Sequence, residues 1–331
     1  MTTTFTTTRT RVLHRNAVSR GLDEPDTRRR WTLWLGPFLI LAALAVSTGC
    51  TRLVASSMGD ALAEDSLVYA GDDDVELVGA AIPFGLKTIE TLLVQVPQHR
   101  GLLTAAARGF TQYAYIYVQL PADELEERDV AAAYDQRTRA RRLYLRARDF
   151  GLRGLGFEYD DALSRLRGEP ETALAGMGAE DLETLYWTGI AWSAAIALGK
   201  DQPALIADLP VVDAIIARAT ALDPDFDDGG LHTFLISYEM GRPGGGAEAT
   251  EIAYRHFQRA VELSRGQRVA PFVAMAESVT VAQRQRRAFE DFLEQALAVD
   301  TDGRAEWRLA NHVMQRRARW LLARTDMLFL E

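Results

Sequence analysis

Residues 211–263 read VVDAIIARATALDPDFDDGGLHTFLISYEMGRPGGGAEATEIAYRHFQRAVEL. Two stretches of this segment share one spacing. Val212, Ile216 and Ala219 stand at i, i+4 and i+7, and Pro224 follows five residues later. Ala253, Phe257 and Ala260 repeat the offsets. Residues so spaced fall on one face of an α-helix. The Ala lets a neighbouring helix approach closely, and the bulky residue wedges into the gap. Between these two helices, Leu231 to Met240 predicts a third.

This is the second-helix pattern of the tetratricopeptide repeat, whose ideal period is about 34 residues. It recurs along the chain as Gly85, Ile89, Leu92, then as Ala140, Tyr144, Ala147, and last as Phe289, Leu293, Ala296. The spacing is irregular, so the expectation is an all-α solenoid of about five degenerate helical hairpins with inserted loops and no β-sheet. Further helices are predicted over Val75 to Val96, Leu102 to Leu120 ended by Pro121, Asp129 to Gly151, Phe157 to Leu166, Asp181 to Leu198, Pro271 to Arg286 and Ala288 to Val299. Tyr113, Tyr115 and Tyr117 alternate as in a strand, but the Ala run before them favours helix. Glu306 to Phe329 predicts a last long helix with no following partner. Its Arg308, Arg316, Arg317, Arg319 and Arg324 read as the polar outside of a terminal cap.

The N-terminus carries a different signal. Arg28 to Arg30 precede the apolar run WTLWLGPFLILAALAV of residues 31–46, and Ser47-Thr48-Gly49-Cys50 follows. A basic region, an apolar core and small residues before a cut describe a signal peptide. Cys50 directly after Thr48-Gly49 resembles a bacterial lipobox, in which the sulfur is acylated. Ser47 stands where Leu is commonest. A retained anchor and a free thiol are the alternatives, though the run is shorter than the ~20 residues of a spanning helix. The expected organisation is a signal peptide over 1–49, a lipidated Cys50 with a tether to residue 70, and one helical domain over 71–331. Thr51 leaves delivery to the outer membrane open, with the inner membrane as the other choice.

The whole chain has a formal net charge of −9. Residues 1–49 carry seven Arg and three acids, so the remainder carries a net charge of about −13. That balance argues against a nucleic-acid partner and against a polybasic grip on anionic lipid.

No phosphate-binding loop, HExxH, CxxC or GxSxG nucleophile elbow occurs in the chain. Catalytic residues, metal ligands and cofactors are therefore not expected, and a hydrolase reading has no residues behind it. His99, His232, His256 and His312 lie on different predicted elements without paired spacing. The arginines of residues 137–148 read either as an anion site or as a solvated face paired with Asp123, Glu124, Glu126 and Glu127. Aromatic residues are the remaining signal. Tyr113, Tyr117, Tyr186, Trp187, Trp192, His232, Phe234 and Tyr238 are the candidate ligand-binding residues if the stack encloses a cavity, and core residues otherwise.

Several stretches together resemble one family. They include AIPFGLKTIETLL, ARGFTQYAYIYV, RARRLYLRARDFGLRGL, LYWTGIAWSAAIAL, ALDPDFDDGGLHTFLISYE, AYRHFQRAVELSRG and RLANHVMQRRARWLL. The chain is similar here to the TatT family, tetratricopeptide-like lipoproteins associated with TRAP (tripartite ATP-independent periplasmic) transporters. The resemblance implies a non-enzymatic, lipid-anchored periplasmic homotrimer whose protomers each carry a pore or cavity. It also implies work beside a periplasmic substrate-binding protein, docking it or holding a small apolar or organic-acid ligand. The long N-terminal extension and the Gly244-Gly245-Gly246 loop depart from the family pattern. The alternative function is a scaffold lipoprotein that holds envelope proteins in the groove of the stack.

Overall fold

A computed structural model describes residues 67–329 apart from 158, 243 and 245, and the side chains of 159–162 are left aside. The signal peptide, Cys50 and the tether as far as residue 66 lie outside the described residues. Among the described residues every regular element is helical.

The long helices are α1 (Val75–Gln95), α2 (Arg100–Ala114), α3 (Val130–Gly154), α4 (Leu182–Ala197) and α5 (Leu209–Leu222). They continue as α6 (Phe226–Gly241), α7 (Gly246–Ser264), α8 (Ala270–Ala274), α9 (Arg286–Ala298) and α10 (Arg308–Leu322). Consecutive helices pack on one another from α1 to α5, and α6 pairs with α7 and α9 with α10. Local chemistry starts several of them. The Asp74 carboxylate accepts from Leu77 N at 2.9 Å before α1, and Asp129 accepts from Ala132 N at 2.9 Å before α3. Each cap satisfies one of the amides left free at a helix start.

Most of the recurrent stripe is buried, but in α1 the buried residues are Val78, Leu86, Ile89 and Leu93, so of the expected Gly85, Ile89 and Leu92 only Ile89 is fully inside, and Phe257 is half-buried. Ala140, Tyr144, Ala147, Val212, Ile216, Ala219, Phe289, Leu293 and Ala296 all lie in the core, as do Ala253 and Ala260. One cluster joins α4, α5 and α6 around Trp192, Ile215 and Leu231. A second gathers Phe272, Phe289, Leu293 and Val313.

α6 begins with an irregular turn. Asp227, Asp228 and Gly229 have φ of 56°, 46° and 90°. Gly229 is the position that needs glycine, because a Cβ there would meet the Ala260 Cα at 2.9 Å on α7. The Asp-Asp-Gly run thus brings α6 and α7 together.

Three expectations are corrected. Pro121 does not end the second helix. The backbone widens into a π-helix over Tyr115–Gln119 and continues as Leu120–Leu125, with Pro121 at a first-turn position where no amide donor is needed. A second π-helix, Met275–Thr280, interrupts the element expected over Pro271 to Arg286. Finally, α10 is not an open terminal cap, although no long helix follows it. Its face meets α1 and the short helix Leu67–Ala70, so the last helix closes against the first.

That closure is specific. Arg308 Nη1 donates to Gly71 O at 2.9 Å, Arg316 pairs with Glu76 at 3.1 Å, and Arg324 pairs with Glu127. Leu120 belongs to the same apolar cluster as Val313 and Leu293, with Val75 and Ile116 packed against it. Two of the arginines read as a cap's polar exterior, Arg308 and Arg316, join the two ends, while Arg319 stays exposed and bonds to Gln315 of its own helix.

α1 is long and apolar enough by length and composition to cross a membrane, yet its inner residues Val78, Leu86, Ile89 and Leu93 are buried.

Candidate functional site

The seam between the ends holds a cleft of about 300 Å³. Three elements meet there. α1 contributes Val75, Glu76 and Gly79. The π-helix and the helical turn Leu120–Leu125 that continues it contribute Ile116, Tyr117, Leu120, Pro121 and Glu124. α10 contributes Val313, Arg316 and Arg317. The volume is at the lower end of small-molecule pockets.

Tyr117 forms one wall. Its hydroxyl donates to Val75 O at 3.0 Å, and its ring lies where a Cβ on Gly79 would stand. Burial, then the nearby charges of Glu76 and Asp72, push the phenol up to about 12. It stays protonated and donates at any physiological pH.

Arg317 forms the floor, with its side chain 8% exposed. Nε and Nη2 donate to Glu277 Oε1 at 3.0 and 2.6 Å, and Nη2 also donates to Asp123 Oδ2 at 3.2 Å. The guanidinium stacks on Trp320, 4.2 Å from the ring centroid. Asp123 is shared with Arg137 at 2.9 Å. Glu277 lies in the second π-helix and Asp123 just after the first, so Arg317 ties both π-helices to α10. Such segments are rare and recur at functional sites. Burial raises the Glu277 carboxyl, and the Asp123 charge adds to that, while Arg317 opposes it. The Tyr115 phenol is raised by burial and by the Glu277 charge.

The expected aromatic set does not line this cleft as a group. Tyr117 does. Tyr113 lies beside it, with ring centroids 5.6 Å apart. Tyr186 and Trp192 are buried in the α4–α6 core, and Trp187, Phe234 and Tyr238 pack against that core. Trp192 sits under the Arg148 guanidinium at 5.0 Å. Phe234 stacks on Tyr238, whose hydroxyl donates to Asp213 at 2.6 Å.

His232 faces His256 across the α6–α7 contact, with Nδ1 atoms 2.8 Å apart. Helical hairpin geometry brought together two histidines whose sequence separation carries no motif. One ring must donate and the other accept, so the bond is lost when both rings are protonated. Burial, then the neighbouring His232 and Arg255, lower His256 to about 4. Among the described residues no group of three or more His, Cys, Asp or Glu could hold a metal ion.

The α3 arginines divide among separate partners. Arg137 pairs with Asp123 and Glu126, Arg146 with Glu90, and Arg148 with its neighbour Asp149. A second, more polar pocket of about 220 Å³ lies between α2 and α4. Its charges are paired too: Arg100 with Asp181, and Arg108 with Glu183 at 2.9 Å.

Sequence reasoning missed Arg317, Glu277 and Asp123. Only the packing of α10 against both π-helix segments brings them together.

A family model described as TAtT, TRAP transporter T-component, matches residues 71–329. A protein of Treponema pallidum (strain Nichols), titled only "Uncharacterized protein", is 29% identical over 313 residues, covering 88% of this chain and 96% of that protein.

Proposed function

The chain belongs to the TRAP transporter T-component family, and from that membership we propose that it is a lipid-anchored periplasmic accessory that docks the transporter's substrate-binding protein and holds a small ligand in the seam cleft. The family is a transport accessory and not an enzyme family, and membership supports a periplasmic or envelope location. Acylation of Cys50 would supply the anchor, because each buried CH₂ contributes ~0.8 kcal/mol to membrane binding. The helices would stack as degenerate tetratricopeptide-like hairpins, and the active form would be a homotrimer.

The observation that carries the ligand reading is the cleft itself. Its walls are apolar at Val75, Ile116, Leu120 and Val313, polar groups enter at Tyr117 and Arg317, and Arg316, paired with Glu76 and Glu124, adds charge to the lining. An apolar pocket with a few converging polar groups is the usual form of a small-molecule site. The aromatics Tyr113, Tyr186, Trp187, Trp192, His232, Phe234 and Tyr238 would then shape the stack around the site, with Tyr117 in contact.

Native mass spectrometry of the chain purified from its own membranes tests this reading. A co-purifying small molecule is expected on the wild type and lost from Ile116→Trp, which fills the cleft. An adduct retained in that variant, or none on the wild type, would count against the cleft.

A further inference from the structure

The outer face of α1 is an anomaly for a helix in a packed stack. It carries Leu77, Phe84 and Val94, which are 58%, 80% and 76% exposed. Ala80, Ala81, Thr88 and Thr91 fill the positions between them at helical spacing. Only 17% of the helix's most apolar 18-residue window is buried. Leu67 and Val68, in the short helix just before, are exposed as well. Apolar side chains therefore run in one stripe along about 25 Å of α1, at ~1.5 Å per residue. Exposed stripes of this extent mark an interaction surface.

We propose that α1 lies flat on the lipid bilayer with this stripe immersed in the interface; the proposal rests on the lipid-anchored reading of Cys50. Position identifies the occupant. The stripe begins where the tether ends, and the tether from residue 50 to 66 spans at most about 3.5 Å per residue. The anchored end thus keeps α1 within reach of the membrane, and intramolecular tethering makes even a weak surface contact persist. Lying is favoured over spanning because a spanning α1 would strip Leu86, Ile89 and Leu93 from their packing on α2.

The charges around the stripe say what holds it. Asp73, Asp74 and Glu76 stand exposed at its start, and Lys87 is the one basic residue of α1. Contact is therefore by apolar insertion, without electrostatic attraction to anionic lipid. The bilayer it suits has low surface charge.

The test uses the chain purified from membranes and returned to phosphatidylcholine vesicles containing a lipid-borne quencher. Cysteines are introduced singly as Phe84→Cys, Val94→Cys and, as an exposed control on α9, Glu294→Cys, and each is labelled with a small fluorophore. All three positions are exposed, so folding is retained. Labels at 84 and 94 are expected to be quenched several-fold more strongly than the label at 294, and adding phosphatidylglycerol is expected to leave the ratio unchanged or lower it. Equal quenching at all three positions overturns the proposal. So does disulfide cross-linking between copies at position 84 without lipid quenching, which would assign the stripe to a second copy. The intact mass of the same preparation reports acyl chains on Cys50. An acylated chain with unquenched labels refutes the α1 contact alone. A chain without acyl mass refutes the anchor, and quenching at 84 and 94 would still support the contact.

Discussion

Replacing Arg317 by Met removes the charge that ties α10 to both π-helix segments while keeping an apolar stem of similar length. Glu277 loses both its short contacts, at 3.0 and 2.6 Å. Asp123 keeps Arg137 at 2.9 Å and is not orphaned. Breaking one side of a buried ion pair costs about 3–5 kcal/mol. Here the lower end applies, because Glu277 can escape by binding a proton. Its carboxyl is already raised above its unfolded value of 4.5 by burial, and losing Arg317 raises it further. The sign follows from linkage. Between the unfolded and folded pKa values the folded state holds more protons, so stability falls as pH rises through that window. The expected loss in R317M is therefore about 3 kcal/mol at pH 8 and smaller at pH 5. Urea unfolding at both pH values measures it, and E277Q added to R317M should recover part of the loss at pH 8. A loss below about 1 kcal/mol at pH 8, or a larger loss at pH 5, would refute this reasoning, since in either case Glu277 does not depend on Arg317.

Three further outcomes follow from the packing. Gly229→Ala should cost at least ~2 kcal/mol in urea or thermal unfolding, because φ of 90° disfavours an L side chain and the new Cβ would meet Ala260. Leu293→Ala, at a fully buried stripe position, should cost about 2–5 kcal/mol by the same measurement. His256 is lowered from 6.5 to about 4 in the folded chain, so the unfolded chain takes up its proton first and wild-type stability should fall as pH drops from 6.5 toward 4. Partial exposure limits that contribution to about 1–2 kcal/mol. His256→Gln should flatten the decline in melting temperature between pH 7 and pH 5.

The helical stripe was legible because it records a local fact: which face of each helix is inside. Val212, Ile216 and Ala219 are four and three residues apart, and the spacing alone puts them on one face. The Leu222-Asp223-Pro224 stop was legible for the same reason, and α5 ends at Leu222. The seam was not. Arg308 reaches Gly71 across 237 residues and Arg316 reaches Glu76 across 240. An arginine on a terminal helix looks the same in sequence whether it meets water or the first helix of the chain. The π-helices were hidden too, since a shift from i→i+4 to i→i+5 bonding leaves no change in residue type. Pro121 was misleading because a proline that ends one helix also fits the first turn of the next. The aromatic residues, gathered by composition into one candidate site, separate once the helices are packed. Tyr117 reaches the cleft, while Tyr186 and Trp192 fill the core between α4 and α6.

The most direct test of the transporter role is co-purification of the chain from native membranes with its neighbours, gently cross-linked before extraction. The account predicts recovery of a periplasmic substrate-binding protein of a TRAP transporter as the main partner. Recovery of unrelated envelope proteins, with no component of such a transporter among them, would contradict it and favour a scaffold.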